Sequence, residues 1–107
     1  MSENRSTAVI IAKSDILLEE AVEEFRAALD VYSSVLLPQQ WARTQDNLGR
    51  ALESLGDRST WSEVRAFWQS AEQAYLEALK MRTIEETPYN HNATKANLER
   101  VQFKLNL

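Results

Sequence analysis

Residues 21–57 read AVEEFRAALDVYSSVLLPQQWARTQDNLGRALESLGD, and fifty positions later the chain repeats much of that stretch. Laid without gaps over residues 71–107, it keeps Ala21/Ala71, Ala28/Ala78, Leu29/Leu79, Pro38/Pro88, Thr44/Thr94, Asn47/Asn97, Leu48/Leu98, Arg50/Arg100 and Leu55/Leu105. Phe25/Tyr75, Val31/Met81 and Ser33/Thr83 are close in size and shape. An internal period of this length indicates a repeat architecture, in which each unit buries its apolar face against its neighbour.

Working outward from the echo, the spacing of apolar residues predicts four helices and no strands. Leu18, Val22, Phe25, Leu29, Tyr32 and Leu36 fall 4, 3, 4, 3 and 4 apart, a helical stripe. They predict a first helix from about Ser14 to Leu36, capped by Ser14 or Asp15, behind a disordered tail of residues 1–13. Pro38 opens a second helix striped by Trp41, Gln45, Leu48, Leu52 and Leu55, with Gly56 as its left-handed terminator. Gly49 lies in mid-helix, where it costs ~1 kcal/mol against alanine, so a close helix crossing is expected there. Thr60-Trp61-Ser62-Glu63 reads as a capping box for a third helix running to about Glu86. Pro88 then starts a fourth, carrying Leu98, Val101 and Leu105, with Ala93, Ala96 and Phe103 nearby. Short connections imply antiparallel neighbours. Residues 14–107 therefore read as one all-α domain of antiparallel helix-turn-helix repeats.

Composition narrows the function. The chain has no Cys, which excludes disulfides, thiolate metal sites and cysteine nucleophiles. Its formal net charge of −4 argues against a nucleic-acid partner. No apolar run reaches the ~20 residues that span a bilayer, so neither a membrane nor a secretory leader is expected and the cytoplasm is the default compartment. Charge is uneven along the chain. Residues 1–36 hold three basic and seven acidic side chains, while residues 87–107 hold three basic and one acidic. The ends therefore have opposite sign.

The stretch Pro38–Arg58, PQQWARTQDNLGRALESLGDR, resembles the tetratricopeptide repeat family, in a long-period bacterial variety with the pattern P-x-x-W-A-x-T-Q-x-N-L-G-x-A-L-x-x-L-G. Ala21–Leu29 and Ala71–Leu79 resemble the second helix of that unit. The later copy has drifted, with His91 for Trp41, Glu99 for Gly49 and Gln102 for Leu52. The resemblance implies a non-enzymatic helical scaffold for a protein or peptide partner. It places Arg43, Asp46, Arg50 and Glu53, then Ala93, Ala96, Arg100 and Phe103, along the partner-binding face. It also fixes the phase: the chain begins with a second-type helix and ends with a first-type helix, each lacking its usual neighbour. A homodimer through the terminal helices would satisfy both ends.

Beside each remaining functional pattern stands a simpler role. Arg43, Arg50 and Arg100 form a basic strip suited to an acidic peptide, with salt bridges to Asp46, Glu53 and Glu99 as the simpler account. Phe67 lies off the main stripe of the third helix and is expected at a second contact surface. Asn47 and Asn97 are expected to bond adjacent helices. His91, the lone histidine, has no converging partners for catalysis or metal binding, and no cofactor is expected. A different class of reading is a bundle that takes a small apolar ligand or lipid between Trp41, Trp61, Trp68 and Tyr75.

Overall fold

The computed structural model describes the backbone from Ser2 to Leu107 and the side chains of residues 15–107 apart from Trp61. Four helices follow one another: α1 (Ser2–Val31), α2 (Pro38–Arg58), α3 (Trp61–Leu79) and α4 (Pro88–Leu105). Among the described residues there is no strand. No helix is long and apolar enough to cross a membrane, again among the described residues. Helix α2 lies between α1 and α3, and α4 packs on α3 while touching α2 only lightly.

The fifty-residue echo is geometric as well as chemical. In the α1–α2 connection, Tyr32 N–H donates to Ala28 O, Leu37 N–H to Ser33 O and Trp41 N–H to Leu37 O, at 2.8, 2.9 and 2.9 Å. The α3–α4 connection repeats these as Arg82 to Ala78, Thr87 to Thr83 and His91 to Thr87, at 3.0, 2.9 and 2.8 Å. Leu37 and Thr87, the residues before the two prolines, share nearly the same backbone angles, φ −132°, ψ 61° and φ −137°, ψ 66°. Proline disfavours the helical conformation in the residue before it, which sets how the chain turns into α2 and into α4.

This shared connection also corrects two helix ends. Helix α1 stops at Val31 instead of Leu36, and α3 at Leu79 instead of Glu86. The cause is local: Ser33 Oγ accepts the N–H of Val35 and of Leu36, and Thr83 Oγ1 accepts that of Glu86. Such side-chain bonds compete with the helical ladder and divert the backbone into a turn. At the other end, α1 begins at Ser2 and runs through Ser14 and Asp15, the expected caps. Asp15 instead meets Arg58 of α2 at 3.2 Å. The side chains of residues 1–14, which include the span 1–13 expected to be a tail, lie outside the described ones.

Two residues have roles different from those their sequence context suggests. Thr60 makes no capping bond through its side chain; its carbonyl simply accepts Glu63 N–H at 3.0 Å. Gly56 does not terminate α2, which continues to Arg58, and no glycine has a positive φ. It is glycine because α3 approaches closely. A Cβ there would lie 2.5 Å from Trp68 Cδ1 and 3.2 Å from Phe67 Cβ. A Gly56→Ala chain should lose about 1 kcal/mol, the steric cost of overpacking exceeding the gain in helix propensity. Half-buried Trp68 can yield part of the space, which keeps the loss small. Urea unfolding of the variant checks it.

Burial concentrates on the α2–α3 interface. Leu48 and Leu52 of α2 meet Ala71, Ala74 and Tyr75 of α3, with Leu98 and Val101 of α4 completing the core. Val22, Phe25 and Leu29 of α1, with Phe67, Trp68 and Leu79 of α3, lie against it partly covered. Helix α2, flanked on both sides, buries ten residues. None of the described residues of α1 is fully buried.

Candidate functional site

The light contact between α2 and α4 is bridged by charge. Asp46, Glu53 and Asp57 recur at intervals of seven and four along α2, so they share one side of that helix. Thr94, Asn97, Arg100 and Lys104 do the same on α4. The two rows meet. Arg100 donates to both Glu53 oxygens through Nε and Nη2, each at 2.7 Å, and Lys104 Nζ adds a third bond at 2.6 Å. Tyr75 from α3 supplies a fourth, its hydroxyl donating at 2.8 Å. Lys104 also reaches Asp57 at 3.0 Å, where Trp68 Nε1 donates as well.

Glu53 is 3% exposed, so its charge survives only because its oxygens are saturated. Burial opposes ionisation, but the bonds from Arg100, Lys104 and Tyr75, with the Arg100 charge, outweigh it and hold the carboxyl at about 2. The bond to Glu53 in turn raises Arg100. Lys104 rises despite burial, through its bonds to Glu53 and Asp57. Burial and the Glu53 bond push the Tyr75 hydroxyl well above the ordinary tyrosine range. Each group thus stays in its ordinary charge state at neutral pH. The cluster is a clasp that ties α4 and α3 to α2.

A second polar centre lies nearer the proline ends. Asp46 Oδ1 accepts from Thr94 Oγ1 at 2.9 Å and from Asn97 Nδ2 at 3.2 Å. Arg82, from the α3–α4 connection, donates through Nη1 to Thr94 Oγ1 at 3.0 Å and stands 3.8 Å from Asp46 Oδ2. The His91 ring donates through Nδ1 to Arg82 O at 2.8 Å, which gives the lone histidine a positioning role. An Asp46→Asn chain should lose about 1–2 kcal/mol, since it leaves the buried Arg82 charge without its carboxylate. Thermal unfolding against the parent chain measures it.

The residues expected on the partner-binding face divide accordingly. Asp46 is buried and Arg100 is engaged by Glu53, so both hold α4 to α2. Arg43, Arg50 and Phe103 are exposed. Phe67 is half-buried against the core, under the close approach of Gly56. Asn97 bonds the adjacent helix as expected. Tyr75 is fully buried between Gly49 and Glu53, so its ring is part of the core and its hydroxyl is committed to Glu53. The side chain of Trp61, another residue expected around an apolar ligand, lies outside the described ones.

Sequence reading missed Lys104, Tyr75 and Arg82 as members of this polar system. Lys104 was legible: it follows Arg100 by one helical turn, opposite the acids of α2. Arg82 carried no such signal, because a connection has no periodicity to place it. Nor did Gln39, Gln40 and Asn90, which with Arg43 and Arg82 line a depression of about 240 Å³ at the proline ends. No family model, curated protein or solved structure matches this chain.

Proposed function

We propose that this chain is a non-enzymatic helical-repeat module of the tetratricopeptide kind, whose terminal helices associate with a protein surface, a second copy of itself included. The observation that carries the proposal is the contrast in burial between α2 and α1. With a neighbour on each side, α2 buries ten residues; with one neighbour, α1 fully buries none of those described. Ile16 and Leu17 on α1 are 53% and 64% exposed, and Val35 and Leu36 just beyond it are more so. Phe103 is exposed on α4. Apolar residues gathered at the two ends of a repeat stack support a contact role for those ends.

The phase of the repeat favours a closed dimer over a growing stack. Shifting by fifty residues carries Gly49 to Glu99, Leu52 to Gln102 and Gly56 to Asn106. A helix cannot nest on α4 as α3 nests on α2, where even a Cβ would meet Tyr75 and Trp68 at 2.5 Å. Head-to-tail stacking, which generates open filaments, is thereby opposed. Static light scattering at micromolar concentration should give twice the 12.3 kDa chain mass, and a Leu17→Glu chain should return to one. A monomeric mass for the parent chain refutes self-association.

A further inference from the structure

We infer that the corner where α1 turns into α2, which carries Val31, Val35 and Leu36, docks a partner polypeptide that sets Lys or Arg side chains beside apolar ones. The repeat itself supplies the comparison. Residues 33–37 and 83–87 make the same turn, with the same backbone bonds and nearly the same angles before the proline. Ser33 Oγ closes the first turn and Thr83 Oγ1 the second. The side chains they present differ in kind: Val35, Leu36 and Leu37 in the first copy become Glu85, Glu86 and Thr87 in the second. The turn therefore does not need apolar residues at 35 and 36. Nor does the core, since Val31, Val35 and Leu36 are 77%, 83% and 80% exposed. Leu36 stands just before the cap, where an apolar residue can staple onto the fourth residue of the helix, here Trp41. At that exposure it makes little such contact. Three large apolar side chains held in water at one fixed corner mark a contact surface.

The charges around the corner indicate what covers it. Gln39 Nε2 donates to Met81 O at 3.4 Å, which ties the start of α2 to the second connection and puts both connections at one end. The charged residues of segments 27–40 and 80–90 are Asp30, Lys80, Arg82, Glu85 and Glu86. Both cations are engaged, Lys80 by Glu77 at 2.7 Å and Arg82 by Asp46 at 3.8 Å. Asp30, Glu85 and Glu86 are exposed and have no ion-pair partner among the described residues. An apolar corner with three such carboxylates at the same end is complementary to a basic, apolar segment. The same carboxylates oppose an anionic bilayer, and they oppose this end of a second copy. The inference rests on the contact role proposed for the ends of the stack and names the partner's chemistry at one of them. It is separate from self-association through Leu17, which lies beside the Asp15–Arg58 pair at the far end of α2.

The test follows the backbone amides of the ¹⁵N-labelled full-length chain by NMR while an amphipathic leucine–lysine peptide is added. Val35, Leu36, Glu85 and Glu86 should shift together and saturate, while Glu20 and Glu23 on α1 stay still. A counterpart peptide with glutamate in place of lysine should give no saturable shift. Two paired variants keep the turn, because its bonds run through the backbone, Ser33 and Thr83. Val35→Gln with Leu36→Gln should weaken peptide binding at least tenfold, and Glu85→Gln with Glu86→Gln at least threefold, both at unchanged helicity and melting temperature. Lack of a saturable shift at Leu36, or equal shifts at Glu20 and Glu23, overturns the site. Undiminished binding by the first variant overturns the apolar contact. Undiminished binding by the second, or binding of the glutamate peptide, overturns the basic partner. Tighter binding to phosphatidylcholine–phosphatidylglycerol vesicles than to the peptide overturns the polypeptide assignment. Light scattering of the same samples separates this inference from the wider reading: a parent chain that dimerises without answering the peptide refutes the inference alone.

Discussion

A Gly49→Ala chain is expected to be less stable than the parent by about 3 kcal/mol, although alanine is the better helix former by ~1 kcal/mol. The added Cβ would sit 2.5 Å from Tyr75 Cε1, 2.7 Å from Cδ1 and 3.0 Å from Cζ. Non-bonded carbon atoms do not approach that closely, so ring or helix must move. The ring is fully buried, and its hydroxyl is fixed to Glu53 at 2.8 Å. Moving it breaks that bond, and moving α2 opens the core around Leu48 and Leu52. The matching substitution in the other copy, Glu99→Ala, falls on an exposed side chain and should change stability by less than about 0.5 kcal/mol. Urea unfolding of the two variants side by side measures the difference.

Glu53→Ala is expected to cost about 3–5 kcal/mol, the largest single loss in the molecule. It removes the acceptor of four hydrogen bonds: two from Arg100 and one each from Lys104 and Tyr75. The buried Tyr75 hydroxyl then has no partner, and α4 loses its main tie to α2. The same carboxylate makes stability depend on pH. Its value is about 2 in the folded chain against 4.5 without the fold. The unfolded state therefore binds the proton more readily, and stability falls as pH drops. The stabilisation is fully present above about pH 4.5 and is lost as pH falls toward 2. The urea midpoint should fall through that window in the parent chain and fall less in a Glu53→Gln chain. Equal slopes in both would show that other carboxylates carry the effect.

The periodic parts of the fold are legible in the sequence, and the departures from them have local causes. Apolar spacing places the four helices, and the prolines mark two of the starts. Helix ends depart where Ser33 and Thr83 capture backbone N–H groups, because a small hydroxyl residue reads alike inside and outside a helix. Gly56 reads as a terminator and is a contact point; composition cannot distinguish a glycine needed for its backbone from one needed for its missing side chain. Gly49 is legible as a crossing point because little else makes a mid-helix glycine worth its cost in helix propensity. At the candidate site, the resemblance sets Asp46 and Arg100 on the partner-binding face, and in the structure both are engaged within the chain, Arg100 by the salt bridge to Glu53 that the simpler account expects. Their buried setting comes from the α2–α4 crossing, which no local window contains.

If α1 is an incomplete helix whose missing neighbour comes from association, native-state hydrogen exchange at increasing protein concentration reveals it most directly. In dilute solution the amides of residues 15–31 should exchange far faster than those of α2, because one neighbour leaves their opening cheap. As concentration rises into the micromolar range, α1 amides should slow by at least tenfold while α2 amides hold steady. Protection of α1 that equals that of α2 in dilute solution, or that does not change with concentration, would contradict a role for α1 in association.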